Sequence, residues 1–398
     1  MILHDAQKRL RQARPSDLEI EDVGLLAALG RVAACDIKSL IAIPPADNSA
    51  MDGFAVNAAE MREGSEYSIS QRIAAGQAPT PLEEGTVARI FTGANMPDGA
   101  DAVVIQEHCD YTENTVKINR SAEPGSNVRP LGQDIQIGAV VINKGQRLNS
   151  VDLSLLASIG VAEVPVYERL KVAIFSTGDE LVEPGEPLQE GQIYNSNRAL
   201  LTGLCRELGY EVIDCGIVKD TLEETKSALS NAAKCAHLIL SSGGVSVGEE
   251  DYIKPAIEEL GSLDMWRVQM KPGKPVAYGS IEGTRFLGLP GNPVSSFVVF
   301  QLLGVPLMQT LQKQNQSQPL TYMVEAGFDK KVTSREEYIR VKLVRRADGE
   351  LVADRFKNLS SGILSSLSWA DGLVRHEIGE KIERGMKVAY LPMTRSML

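Results

Sequence analysis

The chain has 398 residues, which at roughly 150 residues per domain gives about two to four domains and excludes a single small binding module. Hydrophobic residues at 43% and charged residues at 23% are close to globular averages, which excludes wholesale disorder and fibrous repeats. Forty-one Lys and Arg against 52 Asp and Glu leave a net charge of −11, a field that repels nucleic acid and anionic lipid, so an anionic ligand must be held by a local basic patch.

In chain order, the N-terminus places charges where a signal peptide needs an apolar core. Ala6, Leu10, Leu25, Leu26 and Leu29 recur at near-helical spacing with Gly30 as a stop, which predicts two short helices around Pro15. From about Ile41 to Val141, short β-branched runs near residues 87–91, 103–105, 115–118 and 139–142 are separated by Gly, Pro and Asn turns and predict a β-rich region. A helix is expected from Val151 to about Ile159. Strand and helix patterns then alternate, with strands expected at 170–175, 211–218, 237–241, 266–270 and 285–289 and helices at 198–207, 222–233, 252–260 and 294–311. Such alternation predicts a parallel, doubly wound sheet. The polar stretch from Gln312 to Pro319 reads as a linker, and beyond it a second β-type region has a hairpin turn at Ala347-Asp348-Gly349-Glu350. The longest apolar run, Phe297 to Met308, is interrupted by Gln301, so no membrane span is expected and a cytoplasmic protein is the default. Five cysteines with no C-x-x-C encode neither a disulfide framework nor a zinc site and fit a reducing compartment.

In open α/β sheets ligands sit beyond the carboxyl ends of the strands, and acids follow the first three expected strands: Asp179 and Glu180, then Asp220, then Glu249 to Asp251. Glu180, Asp220 and Asp251 converging would repel one another unless a cation joined them, and an all-oxygen set suits magnesium bridging to a phosphate. Singly, Asp220 and Asp251 also read as helix caps. Gly243, Gly244 and Gly248 let backbone amides approach a phosphate, and Lys271 and Lys274 lie in a loop stiffened by Pro272 and Pro275 that suits an anion. Pro290-Gly291-Asn292-Pro293 ends a strand and opens a helix that could line the same crevice.

Gly244-Val245-Ser246-Val247-Gly248 also matches the G-x-S-x-G nucleophile elbow of hydrolases. Its triad would need a histidine after Ser246, and only His376, beyond the linker, follows it.

Taken together, Asp47-Asn48-Ser49-Ala50-Met51-Asp52-Gly53, Phe91-Thr92-Gly93-Ala94, Ser176-Thr177-Gly178-Asp179-Glu180, Ser242 to Gly248 with Asp251-Tyr252, Met270 to Pro275 and Leu289 to Pro293 resemble the molybdopterin molybdenumtransferase family, which includes the MoeA proteins and the C-terminal domain of gephyrin. The resemblance spans essentially the whole chain. It implies a multidomain α/β plus β protein: a segmented, elongated dimerisation domain (1–40 and 140–168), a β-rich domain (41–139), a doubly wound α/β molybdopterin-binding domain (169–312) and a C-terminal β-barrel (320–398). It implies a homodimer that inserts molybdate into adenylylated molybdopterin with release of AMP and with Mg2+ present. A molybdopterin adenylyltransferase would be a partner that supplies the substrate. By motif match, Asp52, Glu180, Asp220, Asp251, Lys271 and Lys274 are implied in catalysis, with Glu180, Asp220 and Asp251 on the metal. Thr92, Asp134, Thr177, Gly178, Gly243, Gly244, Ser246 and Pro290 to Pro293 (Pro290, Gly291, Asn292, Pro293) are implied in substrate binding. A scaffold that binds molybdopterin without catalysis and a homologue that inserts tungstate are the alternatives.

Overall fold

The protein was described from a computed structural model covering residues 1–245, 252–316 and 320–393. Its centre is a six-stranded sheet whose spatial order is Glu211–Val218, Lys171–Thr177, Leu238–Ser242, Thr284–Leu289, Ala277–Ile281 and Gly261–Trp266. The first four strands are parallel, and the strands of the last two positions pair antiparallel. Fully buried runs such as Val172 to Phe175 and Leu238 to Leu240 are what a sheet covered on both faces requires. Helices Ser196–Glu207 and Leu222–Ala233 start where the sequence supplies caps: Asn195 accepts from the Arg198 amide, and Thr221 accepts from that of Glu224.

The sheet is therefore mixed, where alternation alone predicted a wholly parallel one. The expected strand at 266–270 does not form: the strand ends at Trp266, Arg267 turns into the left-handed region (φ 78°), and only Met270–Lys271 resumes extended pairing, on another sheet. The long apolar helix, Pro293–Leu311, contains a π-turn at Phe300–Gly304. It is long and apolar enough to cross a membrane by length and composition, and 83% of its apolar window is buried inside the protein.

The second N-terminal helix expected around Leu25 is absent. Leu3–Arg11 is helical, but Ile20–Gly24 is a strand paired antiparallel with Glu163–Tyr167, and only a 3-10 turn, Leu25–Ala28, follows. The first helix buries Leu3, Ala6 and Leu10 in one core with Leu302, Leu303, Leu307 and Leu311. Gln7 Nε2 donates to the Leu302 carbonyl (3.1 Å) within the π-turn.

Two all-β assemblies flank the centre. One is a six-stranded sheet of Ala102–Ile105, Gly53–Val56, Val87–Ile90, Glu66–Ile73, Thr115–Ile118 and Cys109–Tyr111. The other closes on itself: Glu336–Arg345, Leu351–Arg355, Tyr322–Ala326, Lys387–Pro392 and Gly372–His376 pair in a ring because the first strand also pairs with the last. Closure removes the unpaired edges of the five strands. Met270–Lys271 pairs in parallel with Glu336 and Glu337, tying the central unit to the barrel.

The polar stretch expected to be a linker is pinned where it begins. Gln312 is 4% exposed; its Oε1 accepts from the Leu170 amide (2.7 Å) and its Nε2 donates to the Glu168 carbonyl (2.8 Å), while Asn315 Nδ2 donates to Lys144 O. Polar composition here marks buried hydrogen bonding to the backbone rather than solvation. Gln312→Ala strands a buried amide and a carbonyl, so it is expected to lower stability by about 1–3 kcal/mol in chemical denaturation, whereas Asn315→Ala at the exposed end costs less.

Candidate active site

The order of the parallel strands makes the crevice. Glu211–Val218 lies on one side of Lys171–Thr177 and Leu238–Ser242 on the other, so the two crossover connections leave in opposite directions and a cleft opens at the carboxyl ends between them. Ser176 Oγ and Ser242 Oγ, both buried, lie 3.0 Å apart across the two strands at that point. A cavity of about 730 Å³ opens above them, of a size suited to a small-molecule ligand.

Three backbone turns line it. Gly243 (φ 94°) donates its N–H to Leu289 O (3.1 Å), bringing the turn after Ser242 against the one after Leu289. A Cβ at Gly244 would meet Ile253 Cγ1 at 2.6 Å and Thr177 Oγ1 at 2.8 Å, so only glycine lets this turn lie so close to the first strand. Asn197 Nδ2 donates to Gly291 O (2.6 Å), fixing the Pro290-Gly291-Asn292-Pro293 turn against the start of helix Ser196–Glu207. A wall also comes from the barrel. The fully buried Arg340 donates through Nη2 to Asn358 O (3.2 Å) and Ser360 O (3.1 Å), and the Val294 amide bonds to Ser361 O, so Gly362 and Leu364 are held at the cavity.

Of the residues singled out from sequence, Thr177, Gly178, Glu180, Asp220, Gly243, Gly244, Pro290, Gly291, Asn292 and Pro293 line this cavity together. Ser246 and Asp251 lie outside the described residues. Lys271 and Lys274 do not line it, although Pro275 of their loop does; Lys271 Nζ sits 3.2 Å from Glu337 Oε1. Glu337 is 3% exposed and also receives Lys330 Nζ at 2.8 Å. Burial would raise its pKa, but the two ammonium groups hold it below the ordinary carboxylate value. His376, needed by the hydrolase reading, is fully buried in the barrel with Nε2 against Glu380 O (2.9 Å) and does not line the cavity.

Asp52, Thr92 and Asp134 belong to a separate loop cluster. Asp52 Oδ1 accepts from the Thr92 amide (2.8 Å) and hydroxyl (2.7 Å), and those two bonds hold its pKa below the ordinary value. Asp47 Oδ1 accepts from the Leu131 amide, and the Asp134 amide bonds to Ile43 O, so the loops near 47, 92 and 131 form one knot. None of the three residues lines the cavity of its own chain.

Asn195 and Asn197 lie just before the helix expected at 198–207, and nothing in the sequence singled them out. They are 2% and 8% exposed, and each spends one amide atom on the fold: Asn195 Oδ1 accepts from Ser176 Oγ and the Arg198 amide. That leaves Asn195 Nδ2 and Asn197 Oδ1, together with Thr177 Oγ1, buried without a hydrogen-bond partner. All three residues line the cavity, so an amide donor, an amide acceptor and a hydroxyl lie in its wall, beneath the surface a ligand would meet. The charge is lopsided as well. Glu180 and Asp220 line the cavity, and no Lys or Arg does so among the described residues.

The chain matches three family models: the MoeA N-terminal region (domain I and II) over residues 1–160, a probable molybdopterin binding domain over 173–310, and the MoeA C-terminal region (domain IV) over 326–393. A molybdopterin molybdenumtransferase from Haemophilus influenzae is 42% identical over 79% of this chain and 79% of its own length. One from a Nostoc species is 39% identical over 74% and 70%. Among solved structures, a molybdopterin biosynthesis MoeA protein from Pyrococcus horikosii superposes with a TM-score of 0.82 at 32% identity, covering 98% of each chain.

The Asp52–Thr92 pair yields a signed expectation. With the folded pKa depressed, the pair contributes stability above the ordinary carboxylate pKa and loses it as pH falls through the folded value. Thr92→Val keeps the amide bond and removes the hydroxyl, so NMR titration of Asp52 should show its pKa moving back upward.

Proposed function

The chain belongs to the MoeA family of molybdopterin molybdenumtransferases, and on that premise we propose that it inserts molybdate into adenylylated molybdopterin, releasing AMP and the molybdenum cofactor. The observation that supports this reading most directly is the 730 Å³ cavity at the strand ends, with three unpartnered buried polar atoms and two carboxylates. Asn195, Asn197 and Thr177 put amide and hydroxyl groups into the cavity wall, the polar chemistry that a pterin edge pairs with. The positive-φ turn at Gly243 and Gly244 lines the part of the cavity where the phosphates would lie.

A pyrophosphate beside Glu180 and Asp220 would be repelled unless a cation intervened. Magnesium usually binds through one or two carboxylates together with substrate phosphates, and this all-oxygen pair fits that habit. We assign Glu180 and Asp220 to it, with Asp251, outside the described residues, as a third candidate. When bound, the ion would neutralise charge developing on the pyrophosphate. The chain itself orients the ligand through Asn195, Asn197 and Thr177 and shields it with the barrel loop at Gly362 and Leu364. In the same reading Lys271 and Lys274 receive oxyanion charge; the half-exposed Lys271 is held by Glu337 close to the loop that supplies Pro275. The dithiolene sulfurs that take up molybdenum belong to the substrate, so no catalytic Cys or His is required.

The reading extends to assembly. Leu26 (83% exposed), Leu40 (86%), Val151 (73%) and Ile137 (70%) stand out on the segment-built unit formed by residues near 20–43 and 131–166, apolar surface that a second copy would cover. A homodimer would let Asp52, Thr92 and Asp134 of one subunit complete the cavity of its partner. The division into units 1–40 with 140–168, 41–139, 169–312 and 320–398, a cytoplasmic setting and supply by an adenylyltransferase belong to the same proposal.

AMP release from adenylylated molybdopterin, measured with molybdate and with tungstate, tests the activity directly. No release with either oxyanion would reduce the protein to a molybdopterin-binding scaffold, and preference for tungstate would change the metal. Asp220→Asn is expected to lower AMP release at least about tenfold and to raise the magnesium concentration needed. Ser246→Ala should cost only several-fold, about 1 kcal/mol, because a hydroxyl that is not a nucleophile contributes at most one neutral hydrogen bond to a substrate, and Lys271→Ala should cost more. For the shared site, mixing Asp52→Ala chains with Asp220→Asn chains should restore activity above that of either variant alone, because one cavity of each mixed dimer is intact. Mixtures no more active than their components would place all catalytic residues within one subunit.

A further inference from the structure

At the opposite end of the central sheet from the cavity, three guanidinium groups converge. Arg169 immediately precedes the strand Lys171–Thr177 and Gly209–Tyr210 precede Glu211–Val218, while Arg31 and Arg147 come from the segment-built N-terminal unit. Between them is a cavity of about 10 Å³, room for one water or one monatomic ion. Arg31 is 8% exposed and spends Nη2 on Tyr167 O (2.8 Å) and the Glu21 carboxylate. Arg169 Nη1 donates to Gly209 O (2.6 Å). Arg147 makes no hydrogen bond or ion pair among the described residues, yet its Nη2 lies 3.2 Å, and Arg169 Nη1 3.3 Å, from the point a Cβ on Gly209 would occupy. The two cations therefore crowd one small space.

A second observation concerns Tyr210. It is 6% exposed, lines the same cavity, and its hydroxyl forms no hydrogen bond among the described residues. A phenol donor and an unpaired guanidinium face this water-sized space, and three guanidinium groups stand against two nearby carboxylates, Glu21 and Glu211, which leaves positive charge in excess. Burial and the neighbouring Arg31 and Arg147 also lower the pKa of Arg169. Water would accept from Tyr210 and Arg147 but would not offset the charge.

We propose that the cavity bounded by Arg31, Arg147, Arg169 and Tyr210 binds a chloride-sized monovalent anion, which rivets the N-terminal unit to the α/β unit. The small space favours a monatomic ion over a tetrahedral oxyanion, and three cations with a phenol against two nearby carboxylates favour an anion over water. Gln312, whose side chain pins Leu170 and Glu168, closes the wall behind it. The site is independent of the reaction assigned above.

The test is thermal unfolding of the full chain while chloride replaces gluconate up to about 200 mM at fixed ionic strength, so that general screening stays constant. Wild-type protein should gain about 2 °C or more in Tm, saturably, because an anion bound to the folded state alone stabilises by mass action. Arg147→Met keeps the aliphatic stem and removes the charge; it should fold, lose the chloride response and match or exceed wild type in gluconate, where repulsion among the three cations is relieved. A wild-type response to sulfate as large as that to chloride, no response to chloride, or an equal response in Arg147→Met overturns the proposal. Crystals of the wild-type protein soaked in bromide give a readout that does not depend on the variant folding. An anomalous peak among Arg31, Arg147, Arg169 and Tyr210 supports the site, and a water alone at that position rejects it.

Discussion

The constraint on which the molecule depends is the reversal of strand order beside Lys171–Thr177. Its neighbours Glu211–Val218 and Leu238–Ser242 are reached by crossovers that leave on opposite sides, and right-handed connections cannot fill the space between such departures. The gap is thus a product of topology, and side chains only furnish it. Ser176 and Ser242 clip its floor, Gly243 and Gly244 narrow its rim, and two asparagines at a helix start stand in its wall. The opposite ends of the same strands gather arginines, so one sheet carries acids at one pole and cations at the other.

The barrel acts as a wall of the site through buried charge. Arg340 and Glu337 lie on one strand, yet they face different tasks: Arg340 holds the 358–360 backbone near the cavity, and Glu337 takes Lys271 from the loop that precedes Pro275. Burying such charges is expensive unless every one is paired, and here the pairing partners are the loops that must be positioned. The parallel bond of Met270–Lys271 to Glu336 and Glu337 sets the register of that loop against the barrel. Loop position at the cavity is therefore tied to the integrity of a β-barrel that contributes few side chains to the cavity itself.

Much of the central unit was legible because its signals are local. Strand Glu211–Val218 and helix Leu222–Ala233 fall where alternation places them, and the glycine and proline turns expected at the strand ends line the cavity. What escaped depends on partners far away in sequence. Ile20–Gly24 shows an almost wholly exposed pattern with no period, and it is a strand only because Glu163–Tyr167 offers it a ladder. Ala277–Ile281, with Gly279 inside it, lacks an apolar run and is held by pairing on both sides. Asn195 and Asn197 were not singled out, because nothing in sequence shows that the carboxamide of Asn197 holds the turn at Gly291, about 94 positions away, or that Asn195 joins Ser176 beside the cavity. The Gln-rich stretch misled for a related reason: Gln312 is polar because two buried backbone groups need it.

The docking of Leu3–Arg11 has a consequence for biosynthesis. Its apolar face is covered by Leu302, Leu303, Leu307 and Leu311, and its Gln7 bond spans 295 positions of sequence. A ribosome adding about 5–20 residues per second therefore leaves this helix without its native cover for roughly 15–60 s. During that interval Leu3, Ala6 and Leu10 form an amphipathic segment of the nascent chain, open to whatever holdase or neighbouring surface meets it first. A helix made about 295 positions before its partners is among the last to find its place.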